Sequence, residues 1–178
     1  MKDVAVACTG LLAITALITP QSDRFKDRYI SQVAPLAQRM SRSYNAVPAS
    51  VAIAQSILES NWGRSRSATL DHNYFGIKCT FGRPGPIAIS CHGYPTREKQ
   101  PAVVARAKFR VYASRLDSFR DYGRLMNTPG YRAALRYRND PDQYIRHVAP
   151  RYCTDPQYAD HVINTIKAHN LGRFDHVR

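Results

Sequence analysis

Glutamate is scarce in this 178-residue sequence: of the 13 acidic side chains, only Glu59 and Glu98 are glutamates. A helix-rich protein ordinarily scatters glutamates over its surface, because glutamate favours helices. Acidic residues are also outnumbered, since 26 lysines and arginines give a formal net charge of +13. This excess attracts an anionic partner at long range, and nucleic acids, acidic lipids and peptidoglycan all qualify.

Two common kinds of site lack their signatures. The basic residues form no short run, and no nucleic-acid-binding motif accompanies them, so we expect no nucleic acid partner. The cysteines and histidines lack zinc-site spacing, and we expect neither a metal nor a cofactor. The chain has no internal repeat, and its length suits a single domain with its own core.

A long uncharged apolar run occurs at residues 4–19. Its length suits the core of a signal peptide and is short for a bilayer span. We therefore divide the chain into a signal or anchor segment, residues 1–20, and a domain, residues 21–178. No clean cleavage site follows, so an uncleaved anchor that contacts a membrane or an assembly partner stays open. Export to the periplasm or cell envelope, or incorporation in a virion, is the expected location.

Cys79 and Cys91 bracket a segment rich in glycine and proline, which is typical of a loop whose ends can meet. A disulfide between them is one interpretation. Two free buried thiols are the other, because Cys8 belongs to the apolar run and Cys153 leaves an odd number of cysteines in the domain.

Apolar spacing divides the domain into helical and extended parts. It predicts a helix at about residues 23–43 and a second one at 49–59, which is apolar nearly all round and should be buried. Glycines and prolines punctuate residues 62–101 and predict a loop-and-strand lobe. The remaining predictions are a strand at 108–112, a helix beginning at Ser114, short helices at 131–137 and 141–148, and a last helix opened by residues 154–156 and ended by Gly172. This order predicts an α+β domain with a cleft between unequal lobes.

Glu59 lies at the end of the buried helix and three residues before Trp62, the only tryptophan. A helix C-terminus and an apolar ring both disfavour negative charge, so both raise a carboxyl pKa, as glycoside hydrolysis requires of its acid. A glutamate that binds a nearby backbone amide is the alternative interpretation.

The segments AQSILESNWGRS, residues 54–65, and NYFGIK, residues 73–78, resemble the signature of the endo-β-N-acetylglucosaminidase family, family 73 of the glycoside hydrolases. That family includes peptidoglycan hydrolases of flagellar rod assembly, autolysins and phage lysins. The similarity covers roughly residues 24 to 172, and several motifs in order are far harder to obtain by chance than one. The further matching segments are 96–98, 108–114, 118–122 and 152–159.

The resemblance implies a lysozyme-like fold, mainly helical with a small β-rich lobe flanking a substrate cleft. It also implies cleavage of the β-1,4 bond between N-acetylglucosamine and N-acetylmuramic acid in peptidoglycan glycan strands. Glu59 then matches the catalytic acid, Glu98 the second carboxylate on the β lobe, and Tyr152 a tyrosine that lines the cleft.

An amide binds an acetamido group well, and aromatic faces pack on sugar rings. The predicted substrate-binding residues are Trp62, Asn73, Tyr74, Phe75 and Gly76. Core packing is the stronger interpretation for Phe75, and a buried tyrosine bonded to a backbone group is the alternative for Tyr152. The tyrosines assigned to packing are Tyr112, Tyr122, Tyr131 and Tyr158.

The mechanism and two other functions stay open. Glu98 either activates water or stabilises the cation, or the acetamido group of the substrate acts as the nucleophile; a solvated charge between Arg97 and Lys99 is the alternative for Glu98. One rival function is a lytic transglycosylase, and the other is a non-catalytic wall-binding component of a phage tail or secretion apparatus. The presence of both glutamates argues against the binding component, since a binder has no need for the acid.

Overall fold

The structure, a computed structural model, describes residues 20–45, 47–94 and 107–175. The predicted signal or anchor segment up to residue 19, and Glu98, lie outside this part. The element order is α1 (Pro20–Ser43), α2 (Ala49–Ser60), α3 (Arg66–Asp71), β1 (Ser90–Tyr94), β2 (Ala107–Val111), α4 (Arg115–Met126), a first 3-10 helix (Arg132–Tyr137), α5 (Pro141–Tyr152), α6 (Tyr158–Ala168) and a second 3-10 helix (Leu171–Phe174). The predicted α+β class, mainly helical with a small sheet, is confirmed.

Helix α2 forms the centre of the core. Every residue from Ala49 to Ile57 is buried, as its apolar sequence predicted. It packs against α1, α6 and the second 3-10 helix. At its N-terminus the amide of Ser50 donates to the Asp175 carboxylate over 2.8 Å, which satisfies one of the amides that a helix start leaves without an intrahelical partner.

Helix α1 contains Pro35 and continues past it to Ser43. Its core residues Tyr29, Val33, Ala37 and Met40 follow helical spacing and are buried. The contact between α1 and α4 is close, because a Cβ atom at Gly123 of α4 would lie 2.8 Å from Cγ of Met40. Glycine at this position therefore lets the two helices meet.

The β lobe is smaller than the helical part. Strands β1 and β2 pair antiparallel, with His92 opposite Phe109. Cys79 and Cys91 form a disulfide, which confirms the first of the two interpretations. The assumption of an odd cysteine is wrong, because Cys153 is also disulfide-bonded. Helix α3 was not predicted within this lobe; Ser65 caps it by accepting from the amide of Ala68, and six residues are too few to show a helical period.

Three predicted boundaries on the C-terminal side are corrected. Helix α5 runs past residue 148 to Tyr152, since the amide of Cys153 donates to the Ala149 carbonyl and continues the helical pattern around Pro150. Helix α6 begins at Tyr158, because residues 154–157 form a turn instead. Helix α6 ends at Ala168, and Gly172 lies in the second 3-10 helix. No helix of the described residues is long and apolar enough to cross a bilayer.

Candidate active site

Glu59 occupies the last turn of α2 and is partly buried. Its Oε1 atom accepts a hydrogen bond of 2.6 Å from the Tyr158 hydroxyl at the start of α6. Burial raises the pKa of Glu59 to about 7, while the bond from Tyr158 acts in the opposite direction. The sequence predicted a raised pKa for Glu59 from the helix C-terminus and the Trp62 ring; the direction of the shift agrees, and its cause is burial. A carboxyl group with this pKa retains its proton over much of the range below neutrality and can transfer it.

A chain of buried polar side chains leads to this acid. The Tyr122 hydroxyl donates to Oε1 of Gln55 over 2.5 Å, and Nε2 of Gln55 donates to the Tyr158 hydroxyl over 3.1 Å. Gln55 lies one turn before Glu59 on the same face of α2. Because its oxygen accepts from Gln55, the Tyr158 hydroxyl directs its proton at Glu59, and the tyrosine is a fixed donor to the acid.

The assignment of Tyr158 to packing is therefore incomplete. Its ring does pack, stacked on Tyr152 with a centroid distance of 5.7 Å, but its hydroxyl contacts the acid. The available signal was Gln55, a buried amide one turn before Glu59 on an otherwise apolar helix. Such an amide requires partners, and a tyrosine hydroxyl is a suitable one.

Tyr152 is fully buried. Its hydroxyl donates to the carbonyl of Phe75 over 2.8 Å, so its proton is committed to the backbone. Burial raises the pKa of Tyr152 well above its ordinary value. Tyr152 therefore has the arrangement that was the alternative prediction, a buried tyrosine bonded to a backbone group. Its ring supports Tyr158 by stacking on it.

Two of the predicted sugar-binding residues are structural. Asn73 is fully buried, and its Nδ2 donates to the carbonyls of Ile77 and Arg110, each over 2.9 Å, while its Oδ1 accepts from the Ile77 amide. Both amide protons are used, which ties the loop after α3 to β2 and leaves none for an acetamido group. Phe75 is also fully buried and stacks on Tyr122 at 4.3 Å between centroids, in line with core packing.

Gly76 is partly exposed and has φ +60°, a backbone conformation that glycine adopts without strain. Tyr74 is buried, and its backbone amide donates to the Ser118 hydroxyl. The ring of Tyr74 lies 6.5 Å from that of Tyr29 on α1. The ring of Tyr74 also lies 6.4 Å from that of Phe119 on α4, so this tyrosine packs against both α1 and α4.

Trp62 contacts a different part of the molecule from Glu59. Its ring meets Tyr29 at 5.8 Å and His169 at 5.0 Å between centroids. His169 follows the end of α6, whereas Tyr158 begins that helix, and about 16 Å of helix axis separates them. The contacts of Trp62 therefore do not include the tyrosine that holds the acid.

The second predicted carboxylate, Glu98, falls in residues 95–106, which lie between β1 and β2 and outside the described residues. Within the described ranges no group of three or more histidine, cysteine, aspartate or glutamate side chains is arranged to hold a metal ion. The site that the structure assembles is thus Glu59 with Tyr158 and Gln55, supported by Tyr152.

Residues 34–171 match the glucosaminidase family, described as mannosyl-glycoprotein endo-beta-N-acetylglucosaminidase. Over 155 residues the chain is 30% identical to the exo-glucosaminidase LytG of Bacillus subtilis. The aligned part makes up 84% of this chain and 53% of LytG. Over 151 residues it is 34% identical to the peptidoglycan hydrolase FlgJ of Vibrio cholerae. The aligned part makes up 80% of this chain and 44% of FlgJ.

The catalytic domain of the autolysin Auto from Listeria monocytogenes has a similar structure, with a TM-score of 0.66 at 26% identity, covering 89% of this chain and 99% of that domain. This likeness confirms the lysozyme-like fold. The chain spans about half the length of the curated relatives it matches. It belongs to the glucosaminidase family of glycoside hydrolases, the family that its motifs predicted.

Proposed function

We propose that this chain hydrolyses the β-1,4 bond between N-acetylglucosamine and N-acetylmuramic acid in peptidoglycan, with Glu59 as the general acid. The observation that carries the proposal is the Glu59 carboxyl, whose pKa burial raises to about 7 and whose oxygen is held by Tyr158. Membership of the glucosaminidase family supports it, as do two relatives whose names are exo-glucosaminidase and peptidoglycan hydrolase.

Cleavage of a glycosidic bond needs a proton for the leaving oxygen and stabilisation of the positive charge that develops on the sugar. Glu59 gives its proton to the leaving oxygen as the bond from the anomeric carbon breaks. Its carboxylate then accepts a charge-assisted hydrogen bond from Tyr158, which is stronger than the bond to the neutral acid. Water then adds its hydroxide to the anomeric carbon, and the proton that this water loses returns to the Glu59 carboxylate, which restores the neutral acid.

The group on the other side of the sugar is the second part of the proposal. Either Glu98 activates the water or stabilises the cation, or the 2-acetamido group of the substrate attacks the anomeric carbon first. Glu98→Gln separates the two mechanisms, because its rate falls as far as that of Glu59→Gln only if Glu98 positions the water.

The bond cut is identified from the new reducing end. Purified peptidoglycan is digested, the products are reduced with borohydride, and the modified sugar is identified by mass spectrometry. Reduced N-acetylglucosamine is the expected product. Reduced muramic acid means a muramidase, a non-reducible 1,6-anhydro product means a lytic transglycosylase, and no soluble fragment means a wall-binding component. Glu59→Gln, purified identically, controls for contaminating hydrolases.

We also propose that the protein works outside the cytoplasm, since its relatives FlgJ and autolysin carry names of wall-degrading proteins. Residues 1–20 then act as a signal, as an anchor in the membrane, or as a contact in a virion or secretion assembly. The intact mass of the protein recovered from its site of action tests this part, because cleavage removes the mass of that segment.

A further inference from the structure

A cavity of about 190 Å³ lies between α1, the start of α4 and the turn that follows α2. Its volume holds about six water molecules, which is enough for one small charged group. Three arginines and four aromatic residues contribute to its wall: Arg28, Arg64, Arg115, Phe25, Tyr29, Trp62 and Tyr74. We call this cavity the arginine–tryptophan pocket.

Neutral groups hold two of these arginines in place. Nη1 of Arg115 donates to Oε1 of Gln32 over 2.9 Å, and the Arg115 guanidinium carbon lies 5.1 Å from the centre of the Tyr74 ring. The guanidinium of Arg64 stacks on Phe25, with its carbon 3.5 Å from the ring centre. Both planar cations are therefore oriented before any ligand arrives.

The described residues around the pocket leave its positive charge uncompensated. Among them no acidic side chain lines the cavity, and no ion pair involves Arg28, Arg64 or Arg115. The nearby Asp117 on α4 bonds instead to Ser114 and Arg120. An oriented guanidinium without an acidic partner is well suited to bidentate recognition of a carboxylate or phosphate.

The backbone at Trp62 is strained. Asn61, Trp62 and Gly63 have φ values of 48°, 59° and 74°, and a bulky side chain in this left-handed region costs roughly 1–2 kcal/mol. The Ser60 hydroxyl stabilises the turn by accepting from the Gly63 amide over 2.7 Å. This turn places the indole in the pocket wall, and strain of this kind clusters at ligand-binding sites.

We infer that the arginine–tryptophan pocket binds an oxyanion of a cell-envelope polymer. The chemistry fits two sources, a carboxylate of the peptide stems that branch from peptidoglycan and a phosphate of a wall polymer. This choice of ligand rests on the proposed function, because both anions accompany the glycan strand. The pocket gives the domain a second binding site for its polymer, in addition to the site at Glu59.

Trp62 is the only tryptophan, so the intrinsic fluorescence of the full chain reports on this pocket directly. Muramyl dipeptide, its carboxamide and inorganic phosphate are each titrated at constant ionic strength. Saturable change with the dipeptide but not its carboxamide identifies a stem carboxylate, and change with phosphate alone identifies a phosphate. No saturable change with either anion at millimolar concentration overturns the inference.

Three variants locate the response. Arg64→Gln and Arg115→Gln should each weaken Kd about tenfold, whereas Arg138→Gln, an exposed arginine outside the pocket, makes the same change in net charge and should leave Kd unaltered. Arg28→Gln gives a further test if either pocket variant unfolds, because this arginine lines the pocket and is exposed. Equal Kd in the folded pocket variants and the control overturns the inference.

The inference and the proposed function fail separately. Fluorescence binding does not require cleavage, so a positive titration of a chain that cuts no wall keeps the pocket and rejects the hydrolase. Wall cleavage without a saturable fluorescence change does the reverse.

Discussion

Glu59 is partly buried and Asp121 is fully buried, yet the charges around the two carboxyl groups differ. Asp121 is fully buried between two cations, with Arg110 at 2.5 Å and Arg124 at 2.9 Å, and it also accepts from the Tyr112 hydroxyl over 2.8 Å. Glu59 has a neutral tyrosine as its partner. Cations compensate a buried carboxylate, while a neutral donor leaves it costly to ionise. The first arrangement joins β2 to α4, and the second keeps a proton available.

The comparison is tested most severely by Glu59→Gln. The amide preserves shape but has no transferable proton, so the rate of peptidoglycan solubilisation should fall by about 1,000-fold or more while the circular dichroism spectrum is unchanged. Asp142→Asn, an exposed acid-to-amide control, should keep full activity. A folded Glu59→Gln chain that still solubilises the wall would remove the acid from the mechanism.

Asp121→Asn should act on stability instead. It leaves Arg110 buried without its carboxylate, and breaking a buried ion pair costs roughly 3–5 kcal/mol. Urea unfolding measures this loss, and Asp160→Asn, which breaks the exposed pair with Arg146, should cost about 0–1 kcal/mol. Activity per folded molecule should be retained. A loss no larger than that of the exposed pair would contradict the role given to this cluster.

Tyr158→Phe changes the donor without touching the acid. The hydrogen bond from Tyr158 lowers the pKa of Glu59, so its removal should shift the falling limb of the pH–rate profile to higher pH and reduce kcat about tenfold. Tyr152→Phe is the matched control, since its hydroxyl bonds to the Phe75 carbonyl and its loss should leave that limb in place. Equal shifts in both variants would rule out a specific effect of the donor on Glu59.

The smallest expected effect concerns stability against pH. Folding raises the pKa of Glu59 from 4.5 to about 7. The neutral carboxyl therefore contributes fully to the stability of the folded chain below pH 4.5, and this contribution is lost as the pH rises to about 7. Glu59→Gln lacks it, and the variant should gain stability relative to the parent between these two pH values, by on the order of 1–2 kcal/mol allowing for partial exposure. Thermal unfolding of both chains across this pH range measures the difference in stability. If the stabilities of the parent and the variant change with pH in parallel, the prediction is refuted.

The sequence best predicted the helices whose apolar residues recur at regular spacing. Apolar spacing located α1 and α2, and the cap at Ser114 located the start of α4. Helix α3 is too short for a period, and the helix predicted to end at residue 148 continues around Pro150 to Tyr152. These errors concern boundaries where one or two hydrogen bonds decide the outcome.

Within the candidate site, the sequence singled out Glu59 as a candidate acid, but it did not identify the hydrogen-bond partners of Glu59. Glu59 stands out by residue type and position, whereas the Tyr158 hydroxyl reaches it across a separation of 99 residues. Asn73 likewise finds the Arg110 carbonyl 37 residues away. Sequence pattern identifies a polar group that needs a partner, but which distant group satisfies it depends on how the helices and strands pack.

The cross-link between Cys79 and Cys91 joins residues only 12 apart in sequence, and closing a loop of this length in the unfolded chain is worth about 3 kcal/mol in the chain-entropy account. That stabilisation exists only where thiols are oxidised. A newly synthesised chain in a reducing cytosol therefore has a smaller margin against unfolding than the same chain in an oxidising envelope. The loop thus ties the durability of the folded domain to the compartment that surrounds it.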